Sequence, residues 1–198
     1  MKSTPPGAST ADTRQRTPRV PSSGQPVSVR LHGRSFSLWW GQDEWGNDLL
    51  ATRGGRLVVA ATEAALQDIA ASHGWAPADG AAEQVEETSG TQDTVVIDVD
   101  DVRSWLSSTG TAVPVMAALN VWNIATDISY SCGGVRRDRG YWADRSYDKL
   151  FAANVPWAVG LASYRPRWTR HELRALRRIE GEAVGLLRST LRGSDRTV

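Results

Sequence analysis

The sequence predicts a single α+β domain, a mainly antiparallel sheet made of an N-terminal β-meander and one later strand, packed against several helices. Three observations carry this. Alternating apolar segments separated by turn residues fill 27–61; helical periodicity follows from residue 62 onward, interrupted by one short β-branched run, TVVIDV; and neither a dinucleotide fingerprint nor a phosphate loop occurs. The length of 198 residues suits one domain plus a tail.

The first 27 residues are rich in Pro, Ser, Thr and Gly and have little to bury, so a disordered basic tail is expected at 1–27 and the globular domain at 28–193. VSVRLHG and SFSLWWG then alternate as strands, DEWGN is a turn, DLLATR follows, and Gly54-Gly55 is a two-residue hairpin signal before RLVVAA. Phe36, Leu38 and Trp40 fall on one face of their strand and Trp39 on the other. That tryptophan leaves the main core unless a second layer covers it.

Thr62 caps a helix carrying Ala65, Leu66, Ile69 and Ala70, which Gly74 stops. Residues 76–93 read as a long polar loop. TVVIDV, 94–99, is a buried strand feeding a short helix that opens at Asp100 or Asp101 and carries Val102, Trp105 and Leu106. Residues 111–130 form the most apolar helix, with Pro114 in its first turn. A loop, CGGVRRDRGYWADRS, leads to a short element, YDKLFAANVPW. Thr169-x-x-Glu172 is a capping box that opens a last helix reaching about Arg192, with Leu173, Leu176, Ala183, Leu187 and Leu191 as its buried stripe. The helices are expected on one face of the sheet.

Charge is segregated along the chain. Residues 1–34 hold six Lys/Arg against one Asp, net +5; residues 165–198 hold nine Arg against four acids, net +5; the middle holds eight bases against seventeen acids, net −9. An acidic body favours a basic partner over nucleic acid, whose affinity rests on neutralised phosphates. The single cysteine, Cys132, rules out an intrachain disulfide and a cysteine-based structural zinc site, and fits a reducing compartment. Nothing at the amino terminus resembles a signal peptide and no apolar run reaches the roughly 18 residues of a membrane span, so a soluble cytoplasmic protein is expected. Two lysines against twenty-one arginines suggest a bacterial genome rich in G and C.

No catalytic motif, metal-ligand spacing or cofactor fingerprint is present, so no catalytic residue, metal or cofactor is assigned. The expected function is that of a non-enzymatic interaction protein whose acidic, Trp-bearing surface, with Asp43, Glu44, Trp45 and Asp48, binds a basic protein; a toxin-neutralising, immunity-type protein is one concrete form. Asn120, Asn123 and Asp127, at i, i+3 and i+7 of the central helix, offer a second reading as the pocket of a small hydrolase or transferase with Asp127 as base. Arg170, Arg174, Arg177 and Arg178 on the last helix offer a third, contact with nucleic acid. Cys132 would need a base as nucleophile, and His32, His73 and His171 are scattered.

Overall fold

The computed structural model describes residues 20–78, 95–134, 136 and 138–194; the tail expected at 1–27 and the loop at 76–93 lie largely outside them. The fold is α+β. Its spine is the hairpin of β1 (Ser23–Leu31) and β2 (Arg34–Gln42), antiparallel along nine residue pairs, with β1 beginning five residues before the expected start of the domain at residue 28. His32 and Gly33 form the turn with φ of 55° and 69°, the backbone that a right-twisted two-residue hairpin requires. Their N–H groups donate to the two carboxylate oxygens of Asp100, both at 2.8 Å.

The strand after β2 is not a plain meander. β3 (Asp48–Leu50) pairs antiparallel with β2, but the run breaks at Ala51; β4 (Thr52–Arg53) and β5 (Arg56–Leu57) fold into a separate hairpin over Gly54-Gly55, and β6 (Val59–Ala60) then returns to β2. Ala51 donates its N–H to the Trp39 carbonyl at 2.9 Å and accepts from Val58 at 2.9 Å, which holds the excursion against the sheet. On the far side of β1, β7 (Val96–Asp98) pairs in parallel with Val29 opposite Ile97. It is an edge strand. Ile97 is buried while Val95 and Val96 are exposed, which corrects the expectation of a buried strand.

α1 (Glu63–His73) begins as expected at Thr62, whose hydroxyl accepts the Ala65 N–H at 3.2 Å, and ends at Gly74 with φ 66°. It covers the sheet face carrying Trp39: Leu66 and Ala70 pack with Trp39, Ala51 and Ala60. The helices are therefore not confined to one face, because β2 presents large apolar side chains on both. The opposite face, with Val27, Val29, Leu31, Phe36 and Leu38, packs against α2 (Val99–Ser107), α3 (Val115–Ser131), α4 (Tyr141–Asn154) and α5 (Arg170–Ser194).

Helix ends explain most of the remaining differences. Asp98, not Asp100 or Asp101, caps α2, accepting from the N–H groups of both at 3.0 and 3.2 Å. Its carboxylate also pairs with Arg30. α4 is a full helix from Tyr141, so YWADRS belongs to it rather than to a loop; Ala143, Ser146 and Leu150 form its buried line at i, i+3 and i+7. A 3-10 turn, Pro156–Val159, follows. In α5, Leu176, Ile179, Ala183, Leu187 and Leu191 are buried, and so is Glu180, whose two oxygens accept no hydrogen bond from the described residues. Burial pushes its carboxyl well above the ordinary range, against the opposing charge of Arg136. Among the described residues, no helix is long and apolar enough to cross a membrane.

The capping box forms as its sequence dictates. Glu172 accepts the Thr169 N–H at 2.8 Å, and its own N–H donates to the Thr169 hydroxyl at 3.3 Å. The carboxylate is fully buried and also accepts from Lys149 at 2.8 Å and Arg145 at 3.3 Å, tying α5 to α4. Burial alone would raise it, but Lys149, Thr169 and Arg145 outweigh burial and bring its pKa from 4.5 down to about 2. Glu172 thus contributes stability that is present above pH 4.5 and is lost as the pH falls toward 2. Glu172→Ala is expected to lower stability by roughly 3 kcal/mol at pH 7. Urea denaturation from pH 7 to pH 3 checks this: the gap between wild type and variant narrows on acidification.

Candidate functional site

The sheet, α3 and α4 meet around a cleft of about 510 Å³. Helix α3 supplies its floor, since Val121, Ile124, Ala125 and Ile128 face the core while Asn123, Thr126 and Asp127 turn toward the opening. Two bonds lock its carboxy-terminal half onto the sheet. The Ser131 hydroxyl donates to the Asp127 carbonyl at 2.6 Å and accepts the Leu50 N–H at 2.8 Å. The Trp40 indole N–H donates to Asp127 Oδ2 at 3.1 Å. This register brings Asp48, two residues before Leu50, to the same cleft.

Helix α4 makes the opposite wall. Asp144, Tyr147 and Asp148, at i, i+3 and i+4, share the face that lines the cleft. The Tyr147 hydroxyl donates to Asn123 Oδ1 at 3.2 Å, and its ring meets Trp122 edge-on with centroids 5.4 Å apart. The third wall is the segment between α3 and α4. There Asp138 Oδ2 accepts the Trp122 indole N–H at 3.1 Å and lies 3.2 Å from the Thr126 hydroxyl. Arg136 stands behind it, 3.6 Å from Asp138, with its guanidinium donating to the Trp122 carbonyl at 3.2 Å and the Ile179 carbonyl at 3.4 Å.

Among the described residues, the cleft therefore combines five carboxylates, of Asp48, Asp127, Asp138, Asp144 and Asp148, with Trp40, Trp122 and Tyr147 and one cation, Arg139. Burial, then the charge of Asp48, pushes Asp127 up to about 7, with the Trp40 bond opposing. Burial likewise raises the Tyr147 hydroxyl, and the neighbouring carboxylates add to it. Asp127 accordingly changes charge near neutrality. Among the described residues, no three His, Cys, Asp or Glu side chains converge closely enough to hold a metal ion.

The residues singled out from the sequence divide between several places. Asn123 and Asp127 line the cleft; Asn120, one turn earlier, is half-buried and does not. Of the DEWGND stretch, Asp48 belongs to the cleft, and the rest is the loop leading into it. Asp43 holds that loop: its carboxylate accepts from the N–H groups of Trp45 and Asn47 at 3.0 and 2.8 Å and from the Asn47 amide. Glu44 is exposed, and Trp45 is 77% exposed. Trp45 is not a core residue.

The arginine face is partly spent inside the fold. Arg177 donates to the carbonyls of Trp105, Leu106 and Gly110 at 3.2, 3.1 and 2.8 Å, closing the end of α2, and lies 4.5 Å over the Trp105 ring. Arg178 pairs with Glu182 at 2.9 Å, while Arg170 and Arg174 are exposed. Cys132 is half-buried at the end of α3. His32 is in the hairpin turn, His73 ends α1, and His171 stacks on Trp142; none lines the cleft. Sequence reasoning missed Asp138, Asp144, Tyr147 and Asp148; their signal was the helical spacing of the last three, obscured by reading 141–146 as loop.

No family model matches the chain, and no curated protein does. One solved structure, the C-terminal domain of SatS in complex with bromine, aligns over 85% of this chain and 92% of that one, with a TM-score of 0.46 and 16% identity. A likeness of that size supports no inference about this chain.

The raised Asp127 makes stability depend on pH with a definite sign. Its contribution is full below its ordinary value of 3.8, declines as the pH rises, and is gone above about 7. Asp127→Asn keeps the shape and removes the titration. The wild type is expected to lose stability relative to this variant between pH 4 and 7, and denaturation midpoints across that range measure it.

Proposed function

We propose that the protein is a non-enzymatic, cytoplasmic bacterial interaction protein that binds a basic protein through an acidic, tryptophan-bearing surface. The supporting observation is Trp45, an indole 77% exposed on a loop whose backbone is pinned by Asp43. A large apolar side chain held out on an ordered loop loses little conformational entropy on docking, the property that makes tryptophan an anchor at interfaces. The same loop runs into Asp48 and the carboxylates of the cleft, which complement a positive partner and steer its approach. A toxin-neutralising, immunity-type protein is a concrete form of this function, resting on size and charge alone.

A second reading follows from Asp127. A carboxyl that titrates near 7 beside a cleft has the profile of a general acid–base in a small hydrolase or transferase. Against it, no Ser, Cys or His among the described residues lines the cleft, and the hydroxyl of the α3 floor, Thr126, is bonded to the Trp122 carbonyl at 3.0 Å. Contact with nucleic acid is weakened by the use of Arg177 inside the fold.

Two measurements separate these readings. Full-length tagged protein incubated with native-host lysate is expected to retain a basic protein in stoichiometric amount, and Trp45→Ala to reduce its recovery at least tenfold while the circular-dichroism melting curve stays unchanged. Unchanged recovery, or loss of the fold, removes Trp45 as anchor. If the second reading holds instead, purified protein turns over ester or glycoside substrates with a pH profile inflecting near 7, and Asp127→Asn abolishes it.

A further inference from the structure

We infer that the acidic, aromatic-bearing cleft is a socket for one arginine side chain, which the basic partner presents to it. This rests on the interaction reading above and names the chemistry that the site would recognise. The volume, about 510 Å³, falls within the range of pockets that enclose small organic groups. Trp40, Trp122 and Tyr147 are part of its lining, and aromatic rings attract a planar cation.

The polar groups point to the same class. Asp138 already meets three groups at Oδ2, the Arg136 guanidinium and the Trp122 and Thr126 donors, and the arginine balances its charge. Asp127 has one donor, Trp40 at Oδ2, and no cation paired with it among the described residues. With Asp148 on the facing helix, it leaves carboxylates on two walls of one cavity. These carboxylates do not converge tightly enough for a metal ion. A guanidinium, with five N–H donors spread in a plane, can reach acceptors on separate walls and stack between them; an ammonium concentrates its charge on one nitrogen. Arg139, exposed, is the one cation lining the cleft among the described residues and would compete with an incoming one.

The test uses the full-length chain and three neutral-backbone probes: Nα-acetyl-arginine amide, Nα-acetyl-lysine amide and Nα-acetyl-citrulline amide, the last isosteric with arginine but uncharged. Titration followed by heteronuclear NMR is expected to give saturable shifts of the Trp40 and Trp122 indole N–H signals with arginine amide. The expected dissociation constant is ~1 mM, with lysine amide at least fivefold weaker and citrulline amide without effect. Asp127→Asn should weaken arginine amide at least fivefold, and Asp148→Asn, an exposed position, does the same should the first variant fail to fold. Arg139→Gln should tighten it, an effect that general loss of structure would not produce. Equal response to arginine and citrulline, preference for lysine, or no saturable shift overturns the socket. If the basic protein is still captured in a Trp45-dependent way while arginine amide does not bind, the socket alone falls; if neither binds, the interaction reading falls with it.

Discussion

The pleat of β2 is the constraint on which the rest of the structure depends. Its run Phe36-Ser-Leu-Trp-Trp40 puts Phe36, Leu38 and Trp40 on one side and Trp39 on the other. Neither side can be left to water, since each side chain of this size is worth roughly 2–3 kcal/mol of burial. The chain answers with α1 over Trp39 and α2 to α5 over the other face. Trp40, near the end of the strand, reaches the margin of the larger core, where its indole N–H finds Asp127. The position of the cleft thus follows from where an apolar strand face runs out.

Two carboxyl groups show how surroundings, not burial alone, decide a charge. Glu172 is fully buried and strongly acidic because a helix N-terminus, Lys149 and Arg145 all donate to it. Asp127 has one donor and a carboxylate neighbour, and its pKa rises to about 7. The first is a clamp between helices. The second is a group left deficient in partners at a cavity wall, which is the condition under which a ligand cation gains most.

Much of the fold was legible in local patterns. The hairpin at Gly54-Gly55, the cap at Thr62, the stop at Gly74 and the Thr169–Glu172 box all appear as their residues dictate, because each is a contact within a few positions of chain. The α+β class was legible for the same reason, since periodicity of two and of 3.6 is a local property. What misled was equally physical. Gly133, Gly134 and Gly140 bracket a polar, arginine-rich run, so the first turns of α4 looked like loop, and with them Asp144, Tyr147 and Asp148 left the reckoning. Asp127 and Asn123 were visible as polar breaks in an apolar helix, but Asn120 showed the same break and faces elsewhere.

The sequence by itself determined most of the secondary elements, the two-sided character of β2, the capping box, the acidic body and the turn that carries Trp45. Only the tertiary structure decided that Asp48 from a strand, Asp127 from α3, Asp144 and Asp148 from α4 and Asp138 from a connecting segment share one cleft, and that Arg177 turns inward to close α2. The reason is range. Caps, turns and periodicities are set by neighbours along the chain, whereas the cleft is assembled from segments far apart in sequence, from Trp40 to Asp148, and its charge balance exists only once those segments are packed.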